Sequence, residues 1–140
     1  MVFNSNQKPS GFASPAQGYE EQYIDLNRLL VKNRPATYFF KLDSGDMERL
    51  GLPMGTLLIV DRSKKPAVDS IVIIRHEGQF FCRLMARQGG KIIFTNREKP
   101  RLNPASEDLT FHADDIIPTT DDTEIIGVVT ASIKLYDLPY

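Results

Sequence analysis

The sequence predicts a mainly β domain preceded by an arm without regular structure and one short helix. Three observations carry that reading. From residue 36 onward, short runs of β-branched and aromatic residues recur along the chain. Glycine, proline, asparagine and aspartate cluster between those runs, where turns are needed. Ahead of residue 24, the apolar residues follow neither the helical nor the strand period.

Residues 1–23, "MVFNSNQKPSGFASPAQGYEEQY", are rich in Gly, Pro, Ser, Asn and Gln and offer too little apolar surface to repay the entropy of ordering. They are read as a flexible N-terminal arm. Residues 24–35 form a short helix and linker: Ile24, Leu26, Leu29 and Leu30 stand at helical spacing, Asp25 and Asn27 mark the start, and Pro35 forbids continuation. Residues 36–140 are the β-domain.

Its strands are expected at "TYFFKL" (37–42), "TLLIVD" (56–61), "SIVIIR" (70–75), "QFFCRLMAR" (79–87), "KIIFTN" (91–96), a short piece near "DLTF" (108–111) and "EIIGVVTASIKLY" (124–136). Glu77 with Gly78, and Gly89 with Gly90, supply residues that tolerate positive φ, so the third, fourth and fifth strands should form a hairpin meander. Gly127 inside the last strand predicts a bulge or bend. Residues 97–107, with two prolines and five charged residues, read as a solvent-facing mobile loop.

Composition narrows the function. A chain of 140 residues is long enough for one core without covalent staples. Its 17 Lys and Arg against 18 Asp and Glu leave no basic excess for gripping phosphates, so direct nucleic-acid binding is not expected. The one cysteine, Cys82, has no partner for a disulfide, and no CxxC or HxxxH spacing gathers metal ligands around it or around His76 and His112. No metal or cofactor is expected. Nothing at the N-terminus resembles a signal peptide and no apolar run is long enough to span a membrane, so a reducing cytoplasm is the expected setting.

Two longer segments carry a specific likeness. "GFASPAQGYEEQYIDLNRLLVKNRPATYFFK" (11–41), followed by "LGLPMGTLLIVDR" (50–62), resembles the UmuD branch of the LexA/UmuD family of self-cleaving serine peptidases, the S24 peptidases. "EGQFFCRL" (77–84), "KIIFTN" (91–96) and "IIGVVTASIK" (125–134) follow in family order, so the likeness covers residues 10–136. It implies the LexA/UmuD peptidase β-fold, a homodimer, and a setting in the bacterial SOS response to DNA damage. Implied partners are a UmuC-like Y-family translesion polymerase, an active UmuD/LexA-type relative, and the RecA filament.

In the family a serine made nucleophilic by a neutral, buried lysine cuts the protein's own arm at a small residue followed by Gly. Held without gaps between Lys41 and Met47, the family's "SGDSM" motif falls on Asp43, Ser44, Gly45, Asp46 and Met47. The nucleophile position is therefore Asp46. The lysine position falls on Arg83, and the cleavage junction on Ser10 and Gly11. A carboxylate only accepts hydrogen bonds and a guanidinium keeps its proton at physiological pH, so neither serves as nucleophile or base in this chemistry. If the two side chains approach as the family's pair does, an Asp46–Arg83 ion pair takes the place of the dyad.

That departure favours a binding protein that does not cleave. Phe12, Pro15 and Tyr19 are then the anchors of an arm that docks on its own or a partner's domain. Two alternatives stay open: an active self-cleaving peptidase using a shifted Ser44, and a modulator of an SOS transcriptional repressor. The plain reading of Ser44 is a turn serine bonded to its own backbone. His76 and His112 read as surface or turn residues, and Cys82 as a small core or interface residue facing away from Arg83. The terminal "EIIGVVTASIKLYDLPY" (124–140) also suits an edge-pairing or dimer role.

Overall fold

The computed structural model describes residues 25–32, 34–98, 100–102 and 109–136. The expectations for the arm, including Ser10, Gly11, Phe12, Pro15 and Tyr19, lie outside the described residues. The chain divides into two units, residues 1–32 and residues 33–140.

In the first unit, helix α1 spans Leu26–Leu30. Asp25 caps it: its carboxylate accepts the backbone N–H of Asn27 at 3.0 Å and of Arg28 at 3.3 Å. Those bonds satisfy donors that a first helical turn leaves open. Val31 is extended and ends the helix before the proline is reached.

The second unit is built on antiparallel strands: β1 (Thr37–Lys41), β2 (Leu57–Asp61), β3 (Ile71–His76), β4 (Gln79–Gln88), β5 (Lys91–Thr95), β6 (Arg101–Leu102), β7 (Leu109–Thr110), β8 (Ile116–Pro118) and β9 (Thr123–Ile133). Seven of them form one sheet in the order β1-β2-β9-β3-β4-β5-β8, and β6 pairs with β7 alone. The mainly β class read from the sequence is the observed one.

The meander follows from local chemistry. His76 pairs with Gln79, and Gln88 with Lys91, so each connection is two residues long. Glu77 and Gly78, at φ 51° and 78°, and Gly89 and Gly90, at 59° and 76°, all occupy the left-handed region. Two consecutive positive φ values give the turn whose twist matches that of the strands.

β3 shows why its sequence is apolar without alternation. Ile73 packs into a first core cluster with Leu42, Met47, Leu52, Leu58, Val60 and Cys82. Val72 and Ile74 point the other way, into a second cluster with Phe94 and Val128. A strand covered on both faces reads as a continuous hydrophobic run. Tyr38, Phe40 and Ile126 pack partly buried against the first cluster.

Gly127 sits where β9 bends. The register of β9 shifts against β3 between Ile73 and Ile74, and against β2 between Ile59 and Val60. A Cβ on Gly127 would lie 2.6 Å from Val60 Cγ1 and 3.2 Å from the Asp61 carbonyl oxygen. The expected bulge is present, and glycine is required there by the closeness of β2.

The structure corrects several boundaries. The segment 97–107, read as a loop, contributes β6, and its residues 103–107 lie outside the described part. β8 escaped the sequence reading because three residues ending in a proline carry almost no strand signal; Pro118 is tolerated on a strand at the end of the sheet. β9 stops at Ile133, short of Tyr136. β2 starts at Leu57, since Thr56 is still part of the preceding turn, its hydroxyl donating to the Pro53 carbonyl at 2.7 Å.

Candidate functional site

The segment after β1 is held from below by two buried side chains. Leu42 and Met47, 5% and 1% exposed, are both in the first core cluster. Backbone bonds fix its ends: Leu42 N–H donates to the Thr56 carbonyl at 2.9 Å, and Leu52 N–H to the Met47 carbonyl at 3.1 Å. Between these anchors, residues 43–46 are lifted to the surface. Apolar flanks thus decide which way Asp46 points.

Facing that turn is the first half of β4. Residues 39–44, 46–47 and 79–83 line a cleft of about 650 Å³. Its ionic side chains balance, with Lys41 and Arg83 against Asp43 and Asp46.

Asp46 and Arg83, separated by 37 positions in sequence, meet at one wall of this cleft. Arg83 Nη2 donates to Asp46 Oδ2 at 3.4 Å. The partners are unequally covered: the Arg83 side chain is 12% exposed and that of Asp46 53%. A second guanidinium nitrogen, Nη1, donates to the Cys82 carbonyl at 2.8 Å, and the cation lies 5.2 Å from the centre of the Phe81 ring. Arg83 is therefore held by three contacts of different kinds, of which Asp46 is the most solvated.

Ser44 also lines the cleft. Its Oγ accepts the backbone N–H of Asp46 at 3.4 Å, the contact of a turn serine. Cys82 is 3% exposed and belongs to the first core cluster. Burial pushes its thiol up to about 12, against the smaller opposing pull of the Arg83 charge. Such a thiol is inert.

The two histidines have local duties. His76 ends β3, only 14% exposed at its side chain, with Nδ1 2.8 Å from the Thr123 hydroxyl. Of the surface or turn places the sequence suggested, it takes the one at the turn, flanking residues 77–78, and the pairing of β3 with β9 brings Thr123 to it. His112 is exposed and accepts the Asp114 N–H through Nδ1 at 3.2 Å, capping the turn Ala113–Asp115. Among the described residues, no His, Cys, Asp and Glu cluster is arranged to hold a metal.

Sequence reasoning missed the support behind the Asp46 turn. Arg49, in the following turn Glu48–Leu50, pairs with the buried Asp115 at 3.2 Å, and Arg97 approaches the same carboxylate at 3.9 Å. This joins positions 66 apart, which no local pattern announces. It also missed Phe39 and Phe80, 58% and 54% exposed, which flank the cleft. Their signal was only partial: three consecutive apolar residues send side chains to both faces of a strand, and only the fold decides whether the second face is covered, as in β3, or open, as here.

The profile of the Peptidase S24-like family matches residues 3–130. Protein SamA of Salmonella typhimurium is 32% identical over 126 residues, covering 89% of this chain and 79% of its own. Protein ImpA of Salmonella typhimurium is 34% identical over 121 residues, covering 86% and 74%. Protein MucA of Escherichia coli is 34% identical over 124 residues, covering 89% and 77%. Among the described residues, no helix is long and apolar enough to cross a membrane. With a family match over most of its length and relatives 32–34% identical over 86–89% of it, the chain belongs to the peptidase S24 family, as a UmuD-like member.

Proposed function

We propose that this protein is a non-cleaving, UmuD-like subunit of the bacterial SOS response that acts by binding. The single observation that supports this is the contact between Arg83 and Asp46 in the cleft. Self-cleavage by this family needs a neutral amine beside a hydroxyl, whereas a guanidinium is donor-only and a carboxylate acceptor-only. The pair keeps the attraction between the turn and β4 and offers no base.

In this reading the cleft is a recognition groove. It takes an extended segment of a partner, with the exposed rings of Phe39 and Phe80 as apolar walls. The subunit works as a homodimer and contacts a Y-family translesion polymerase or a related UmuD/LexA-type protein. It works in the cytoplasm and needs no cofactor.

Prolonged incubation of purified protein with an activated RecA filament tests the reading. The chain stays intact, as followed by mass spectrometry. A defined cut between Ser10 and Gly11 that disappears in Ser44→Ala would overturn it in favour of a peptidase working through Ser44. A pull-down that recovers a repressor and no polymerase would favour the modulator reading.

A further inference from the structure

We propose that a second, smaller pocket is a docking site for an acidic segment of a partner protein, one that presents an apolar side chain next to carboxylates. The pocket holds about 300 Å³ and lies where the first core cluster opens to the surface, between Tyr38, Phe39, Arg62, Ile73, Phe80 and Ile126. It adjoins the larger cleft, sharing Phe39, Phe40 and Phe80 with it, but does not involve Asp46 or Arg83, the pair on which the proposal above rests.

Three features select this occupant. The walls are aromatic and aliphatic, and the two rings at the mouth, Phe39 and Phe80, are more than half exposed. Exposed aromatic side chains gathered around a concavity are the composition of a contact anchor and a poor composition for a surface left in water. The volume is at the small end for a ligand site and suits one or two side chains.

The hydroxyl of Tyr38 is the second feature. It is buried and has no hydrogen-bond partner among the described residues. A buried hydroxyl without a partner is costly, and an acceptor carried by an incoming chain would relieve it. Burial raises the Tyr38 pKa, with the charge of Arg62 pulling the other way, so the phenol stays a donor at neutral pH.

Charge is the third. Arg62, in the sequence "DRSKK" (61–65), is the one ionic side chain among the described residues that line the pocket. The acid in that stretch, Asp61, is not among the lining residues; it accepts from Ser63 through backbone and hydroxyl at 2.8 and 2.6 Å, and its charge is offset by that of Lys64. Arg75, opposite Phe80 across the β3–β4 pairing, is likewise matched by Glu124. The unbalanced charge at this mouth is positive, and it favours an anionic segment over a neutral or basic one.

The test uses the full chain, ¹⁵N-labelled, titrated with the peptide amide acetyl-Phe-Glu-Glu and with its glutamine counterpart acetyl-Phe-Gln-Gln. The expected result is saturable shifts of the Tyr38, Arg62, Ile73 and Ile126 amides. Affinity should fall at least about fivefold for the glutamine peptide and in Arg62→Glu, and about threefold in Tyr38→Phe, a variant that keeps the ring. Arg62 is exposed, so its exchange leaves the fold intact, which a thermal melt checks.

Absence of shifts at millimolar peptide would overturn the proposal, as would equal affinity for both peptides. Shifts confined to residues 43–47 would place the peptide in the cleft and overturn it too. If the four amides instead shift with protein concentration alone, and sedimentation shows a dimer that Phe80→Ser dissociates, the occupant is a second copy of this chain and the acidic-partner proposal fails.

Discussion

Arg83 and Asp46 meet at 3.4 Å across the cleft, but only Arg83 is removed from water, 12% exposed against 53% for its partner. The contact is therefore neither a buried ion pair nor a loose surface one. Its energy is set by the solvated half, because water competes for the Asp46 carboxylate. Arg83 retains the Cys82 carbonyl and the Phe81 ring when Asp46 is lost.

The first prediction follows from this asymmetry. Asp46→Ala should destabilise the fold by about 0–1 kcal/mol. Arg83→Ala should cost more, about 1–2 kcal/mol, because it also removes a packed aliphatic stem and leaves the Cys82 carbonyl without its donor. Urea denaturation of both single variants and the double variant should give a coupling energy below about 1 kcal/mol. Coupling of about 3 kcal/mol or more would mean that the pair behaves as a buried one.

A second prediction concerns recovery of chemistry. In Asp46→Ser combined with Arg83→Lys, the covered position 83 should depress the lysine pKa and place an amine base near a hydroxyl. The double variant should take up a fluorophosphonate probe, whereas the parent and both single variants should not. A folded double variant that stays unlabelled would count against the reading of these two positions as a former dyad.

Packing at Gly127 gives the third. Gly127→Ala should cost about 1–3 kcal/mol, since the new methyl overlaps Val60 Cγ1 and crowds the Asp61 carbonyl. Adding Val60→Ala should restore part of the loss by removing the nearer of the two contacts. Thermal melts of the single and double variants decide it. An unchanged melting temperature in Gly127→Ala would show that β2 and β9 separate freely.

Cys82 sets the fourth. Its folded pKa is raised to about 12, above the usual thiol value near 8.5. The unfolded chain therefore loses its thiol proton first as pH rises. The stability linked to this group is complete below about pH 8.5 and is lost as pH climbs toward the folded value, at up to about 1.4 kcal/mol per pH unit. Stability measured from pH 7 to 10 should fall more steeply in the parent than in Cys82→Ala. Parallel curves would sink the assignment. In native protein at pH 8 the thiol should also resist Ellman's reagent until the chain unfolds.

Much of the fold was legible along the chain. Strand identity in β1 to β5 and β9, the two-residue turns at 77–78 and 89–90, and the bulge at Gly127 all rest on short-range rules of alternation, positive φ and missing Cβ atoms. β6 and β8 were not legible, being two and three residues long and defined by what they pair with. The contact of His76 with Thr123 was not legible for the same reason, since the two stand 47 positions apart.

The sequence by itself determined which chemical groups stand at positions 46 and 83, and therefore that a carboxylate and a guanidinium occupy them. Their distance, their unequal exposure, and the hold of Cys82 and Phe81 on the guanidinium were decided only when the sheet closed. The same is true of Arg49 meeting Asp115, and of the buried Tyr38 hydroxyl beside Arg62. Local rules act over a few residues and fix conformation and charge. Solvent exposure and ion-pair geometry depend on groups far apart in the chain, and only the tertiary fold brings those together.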